Sequence, residues 1–441
     1  MADTAFPALS HARIWRIAGP IVLSNATVPL LGLVDAGVIG RMGAAAPLGA
    51  VGLGALILVT LYWVFGFLRM GTSGLAAQAH GAGDRVERAA ILWRALIIGG
   101  GAGLILVALQ LPLIWGALAL APASPEVEGL THSYLAIRIW GAPATIALYA
   151  VTGWLIAVER TRGVLVLQLW MNGLNIALDL WFVLGLGWGV AGVASATLIA
   201  EWTGLALGLW LCRAAFAEAA AQVRQRLADR VALAEMVVVN SDIMVRSVLL
   251  QLSFTSFIFL AAWQGDVTLA ANHVLLLFLE LTAYALDGIA FAAETLVGQA
   301  VGARRPDGVR QATRLAMGWG FAGAALMALI FALFGGGIID LMTTAPEVRA
   351  EARLYLIWVI AAPLLGTAAW TWDGVFIGAT LSRAMRQVMI QCVILYAMAL
   401  AVLVPSYGNH GLWAALMVLN LARSVLMARR YPQAVAKAAP R

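Results

Sequence analysis

Two carboxylates stand at matching places in long apolar runs of this chain. Asp35 lies eight residues before Gly43 and Asp179 eight before Gly187, each glycine closing its run. Thr197 lies eight residues beyond Gly189, on the run that follows. Asn172, Asn175 and Asp179 are spaced by three and four, which puts them on one face of a helix. At about 1.5 Å per helical residue, Asp35, Asp179 and Thr197 all sit roughly 12 Å from the same end of their segments. Two carboxylates brought together in low-dielectric surroundings cannot both stay ionised, so one can hold a proton near neutral pH. Proton or cation coupling is the chemistry this set could do, with Asn175 and Thr197 as polar partners. For Asn172 or Thr197 alone, a polar tie between helices is the plainer reading.

The elements that must position these groups are membrane helices. The 441 residues are 62% hydrophobic and 11% charged, against roughly 25% charged in soluble domains. Burial grows too slowly with chain size to hide that much apolar surface in a soluble fold. Runs long enough to cross a bilayer core follow one another, and twelve spans are expected. They cover about 14–42, 47–77, 89–112, 130–157, 163–186 and 190–213, then 236–262, 269–298, 310–335, 350–378, 384–405 and 410–428. The first run is longer than the apolar region of a signal peptide and has no small-residue cleavage site after it. Cys212 and Cys392 both lie in apolar runs and read as small core residues.

The chain also repeats itself at a spacing of 221 residues. Gln78-Ala79 and Gly81-Ala82 recur as Gln299-Ala300 and Gly302-Ala303, Tyr134 as Tyr355, Gly153 as Gly374 and Arg162 as Arg383. Two copies of a six-span unit are expected, 1–213 and 236–441, joined by an Ala- and Arg-rich connector over 214–235. An even number of spans per copy makes the repeats parallel, with the substrate site between them. Asp35 and Asp179 fall opposite Ser256 and Leu400, so only the first copy carries these acids.

Basic residues set the orientation. With the N-terminus inside, the inner segments hold Arg13, Arg16, Arg85, Arg88, Arg160, Arg162, Arg224 to Arg230, Arg304, Arg305, Arg383, Arg386 and those from Arg429 on. The outer turns keep Arg41, Arg138, Arg349 and Arg353. The positive-inside rule then puts both termini in the cytoplasm. The net charge of +6 reflects this topology, and no basic patch with interleaved aromatics suggests nucleic-acid binding.

Further polar groups within spans qualify as functional because charge there is costly. Glu280, Asp287 and Glu294 recur every seven residues on span 8, and Asp373 lies in span 10. Asp242 and Arg246, four apart on span 7, are expected to pair. Glu201 lies mid-way along span 6, and some of these acids could pair with Arg69 in span 2; for Asp242, Arg246 and Glu294 a structural ion-pair network closing the cytoplasmic side is the plainer reading. Pro20 and Pro29 each remove a backbone hydrogen bond from span 1, which lets it bend; a permanent kink is the alternative. Trp63, Met171 and Tyr284 could receive flat hydrophobic cations by stacking and soft contact, or serve as ordinary packing bulk.

These features resemble a known family. The twelve-span repeat with its Gln-Ala-x-Gly-Ala turn is similar to the multidrug and toxic compound extrusion (MATE) transporters. The stretches Phe67-Leu68-Arg69-Met70-Gly71-Thr72, Tyr284-Ala285-Leu286-Asp287-Gly288 and Trp372-Asp373-Gly374-Val375-Phe376-Ile377-Gly378-Ala379-Thr380 resemble the DinF (DNA-damage-inducible) branch. The resemblance implies an all-α membrane protein, a V-shaped pair of six-helix lobes that exports amphipathic, often cationic compounds against inward H⁺ or Na⁺. It matches Asp35, Asp179, Asn175 and Thr197 to the family's coupling network. Span 7 lacks the glutamate of the sodium-coupled branch, reading Gln251-Leu252-Ser253-Phe254-Thr255-Ser256-Phe257, which favours protons; Na⁺ coupling is the alternative.

Two other classes stand beside this one. A lipid or oligosaccharide flippase of the wider superfamily would share the architecture, though it would more often show a cationic cavity. A membrane enzyme lacks its motifs, since there is no HExxH and no GxSxG. No catalytic residue, metal or cofactor is therefore expected beyond the coupling ion. The expected setting is the cell inner membrane, with a monomer contacting lipid and small-molecule cargo.

Overall fold

Apolar runs of this length can satisfy their backbone in a membrane only as helices, and helices are what form. The computed structural model describes residues 8–27, 32, 34, 37–41, 45–218 and 220–440, and no strand occurs among them. Ten helices among the described residues are long and apolar enough to cross a membrane, from Ala45–Gly81 to Ser382–Lys437. The last of these breaks at Gly408, whose φ of 53° no helix interior adopts, so it supplies spans 11 and 12. Span 1 begins in the helix His11–Ala26. The architecture is the expected all-α array of two six-span repeats.

The described residues group into two compact units. One holds Leu23–Ala79 and Asp84–Met236; the other holds Met1–Val22, His80–Gly83 and Val237–Arg441. The start of the chain therefore packs with second-half helices: Arg13 donates to Gln299 Oε1 at 2.7 Å. The segment after span 6 packs within the first-half unit as a one-turn helix Arg213–Phe216 and a helix Ala220–Leu227. Arg94, buried in span 3, donates to the Arg226 carbonyl at 2.5 Å and to Glu87 at 2.6 Å. Val223 on its apolar side joins the core made by Ala89, Leu92, Trp154 and Leu155.

The repeat is visible in backbone geometry. Span 4 ends with Glu159 at φ 59° and span 10 with Thr380 at φ 49°. Each closes its helix with the same pair of bonds, Glu159 N–H to Ile156 O (3.0 Å) and Arg160 N–H to Leu155 O (2.8 Å) in one copy. The other copy has Thr380 N–H to Ile377 O and Leu381 N–H to Phe376 O, both at 2.9 Å. These are the two bonds of a helix C-terminal cap around a left-handed residue. Gly83 and Arg304 share such a turn after spans 2 and 8, and Gly187 pairs with Gly408 before spans 6 and 12.

Glycine sets how closely helices cross. A Cβ on Gly153 would lie 2.4 Å from the Arg69 carbonyl oxygen, and one on Gly374 would lie 2.2 Å from that of Ala290. Helix backbones meet at the same place in both copies. Replacing Gly153 or Gly374 by alanine is expected to lower the midpoint of thermal unfolding in detergent by several degrees, because the backbones must part. Gly337→Ala, where nothing lies within 4 Å of the new atom, serves as the neutral control. Equal midpoints for all three variants would refute close packing at the repeat glycines.

Candidate ion-coupling site

Span 5 is helical from Thr161 to Asp179 and then widens into a π-helix, Leu180–Gly185. Its polar residues fall on the buried face: Asn172 is 6% exposed, Asn175 1% and Asp179 0%. The π-turn follows Asp179 directly, and the Leu186 N–H bonds to the Trp181 carbonyl five residues back at 2.9 Å. Such turns are concentrated at functional sites. Gly187 and Gly189, at φ 70° and 56°, then reverse the chain into span 6.

The reversal brings Thr197 against span 5, as equal depth requires. The Asn175 amide lies between Thr197 and Asp179. In the amide orientation that satisfies both neighbours, its nitrogen faces Asp179 Oδ2 at 3.0 Å, while its oxygen faces Thr197, 3.2 Å from the backbone nitrogen and 2.9 Å from the hydroxyl. The Thr197 hydroxyl is also 3.0 Å from the Val193 carbonyl. The structure thus joins three of the four expected coupling residues in one chain of contacts. The fourth, Asp35, lies outside the described residues, as does Pro29. Pro20 sits inside the helix His11–Ala26, where it gives no N–H to the carbonyl of Arg16.

Asn172 extends the polar face toward span 1. Its amide donates to Thr27 Oγ1 at 2.9 Å, and its oxygen accepts from Gln168 at 2.9 Å. Thr27 and Gln168 escaped the sequence reading. Gln168 could have been found four residues before Asn172 on the same face, whereas nothing local marks Thr27. Met171 packs its thioether on Gly204 of span 6, where a Cβ would be 2.6 Å from the sulfur. Trp63 is 39% exposed.

The acids of the second-half unit separate into distinct surroundings. Glu280 is exposed and Asp287 half-buried, with Tyr284 beside both. Glu294 is buried. Asp373 accepts from Arg423 at 2.6 Å and from Arg246. Asp242, expected to pair with Arg246, is instead held by Arg386 at 2.5 Å and by the Ser382 hydroxyl at 2.9 Å. The crossing of spans 7, 10, 11 and 12 brings these groups closer than one helical turn does. Glu201 meets Arg138 in a two-bond pair of 2.6 and 2.9 Å. Arg138 is a buried residue of span 4, not part of an outer turn. Among the described residues no group of three or more His, Cys, Asp or Glu side chains could hold a metal ion.

The candidate site is thus a buried carboxylate in an apolar helix, contacted by the amide of Asn175, within a repeated array of membrane helices. The MatE family model matches residues 20–181 and 243–405, so the chain belongs to the MATE family of transporters. It lies in the DinF branch: DNA damage-inducible protein F of Escherichia coli is 39% identical over 425 residues, covering 96% of this chain and 92% of that protein. Multidrug resistance protein PmpM of Pseudomonas aeruginosa is 27% identical over 78% of this chain and 73% of its own length. The Vibrio cholerae MATE transporter VcmN in its bent form shares the fold, with a TM-score of 0.87 at 22% identity over 97% of each chain.

Proposed function

We propose that this membrane protein is a proton-driven exporter of amphipathic, often cationic compounds, working by alternating access from the inner membrane. The observation that carries the reading is the buried contact chain Thr197–Asn175–Asp179 within span 5 and span 6. An ionised carboxylate at such a place is costly without a counter-charge. Asn175 offers it a hydrogen bond, and in this reading the carboxylate takes up either a proton or a cationic cargo. Protonation cancels the charge and leaves the carboxyl able to bond neutrally. A site that alternates between those two states can exchange cargo for a proton. The names of relatives such as PmpM, a multidrug resistance protein, agree with such cargo.

The test is dye export from proteoliposomes carrying the purified protein, with an imposed pH gradient and no Na⁺. Efflux of a rhodamine- or ethidium-like cation should follow the pH gradient. A strict Na⁺ requirement would reject proton coupling while keeping antiport. Failure to bind several such dyes, together with binding of a lipid-linked sugar, would reject the exporter in favour of a flippase.

A further inference from the structure

Asp373 is an acid of the second-half unit held between two buried guanidiniums. Its carboxylate accepts from Arg423 of span 12 at 2.6 Å and from Arg246 of span 7. Arg423 is 2% exposed and Arg246 5%. The next acid along span 7, Asp242, is held by Arg386 and Ser382. The Cys392 thiol lies beside Arg423 and Asp373. Two carboxylates thus face three guanidiniums. By contrast, the contact given to Asp179 by Asn175 is a neutral amide.

A guanidinium stays protonated in proteins, and charge-assisted bonds to a carboxylate are about twice as strong as neutral ones. A proton or metal ion arriving at Asp373 would have to compete with two buried guanidiniums already bonded to it, which is unfavourable. We propose that Arg246 and Arg423 are resident counter-cations of Asp373: they fill with the protein's own side chains the place a coupling ion would take. Asp373 then carries no ion through the cycle, and ion choice and stoichiometry are set at the Asp179 site. This rests on the assignment of coupling to the Asp179 site.

The test compares wild type, Arg423→Leu and the double variant Asp373→Asn/Arg423→Leu, which keeps the charge of the trio at its wild-type value. Thermal unfolding of each purified protein is followed as NaCl replaces KCl at constant ionic strength, and again from pH 5 to pH 8. Arg423→Leu should gain an ion- or pH-dependent rise in midpoint of about 2–4 °C, and the double variant should lose it. A Na⁺-dependent rise in wild type that the double variant lacks would overturn the proposal, as would a folded Arg423→Leu with no shift under either condition. Should that variant not fold, Arg246→Gln is read the same way. In proteoliposomes the double variant should keep the wild-type number of protons per cargo; a halved number would also overturn it. If instead Asp179→Asn leaves coupling intact, the assignment to the first half fails, while the unfolding series still decides the role of the arginines.

Discussion

Asp179→Asn should abolish gradient-driven export while the protein still folds. The side chain is fully buried, and its Oδ2 lies 3.0 Å from the Asn175 amide nitrogen. An amide of the same volume presents a carbonyl oxygen to that donor, so the local bond survives. What it cannot do is cycle between charged and neutral forms. Dye efflux under a pH gradient should fall to that of protein-free liposomes, with the unfolding midpoint close to wild type. Asp35→Asn should behave nearly alike if the two acids titrate as one coupled site. Wild-type export by both variants would make the carboxylates of the first half structural and move the search to Glu280 and Asp287.

Glu201→Ala should be among the most destabilising single changes outside the coupling site. Glu201 and Arg138 form a two-bond ion pair with both side chains 8% exposed. The carboxylate rests against the turn Ile139–Gly141, where a Cβ on Gly141 would lie 2.1 Å from Glu201 Oε2. Removing one partner strands a buried charge at a cost of about 3–5 kcal/mol, which corresponds to a midpoint loss of about 5 °C for a chain of this size. Arg138→Leu should do the same. The pair Glu201→Leu/Arg138→Leu should recover most of the loss, because no charge is then left unpaired. Additive loss in the double variant would mean the two residues stabilise the protein independently, and the ion-pair account would fail.

Much of this was legible from residue order alone. The twelve apolar runs, the 221-residue repeat from Gln78 to Gln299, and the shared face of Asn172, Asn175 and Asp179 are local or periodic properties. Helical spacing and bilayer thickness convert them directly into geometry. Equal depth even brought Thr197 to Asn175, because adjacent spans joined by a short turn are antiparallel neighbours. Pairing across non-adjacent helices was decided only by the tertiary structure. Asp373 takes Arg246 and Arg423, Asp242 takes Arg386, and Glu201 takes Arg138. These pairs form where separate helices cross, and no spacing along one helix encodes them. The π-turn after Asp179 belongs with them: its wider hydrogen bonds are stabilised by packing around spans 5 and 6, while the local sequence Leu180–Gly185 would serve an ordinary helix equally well.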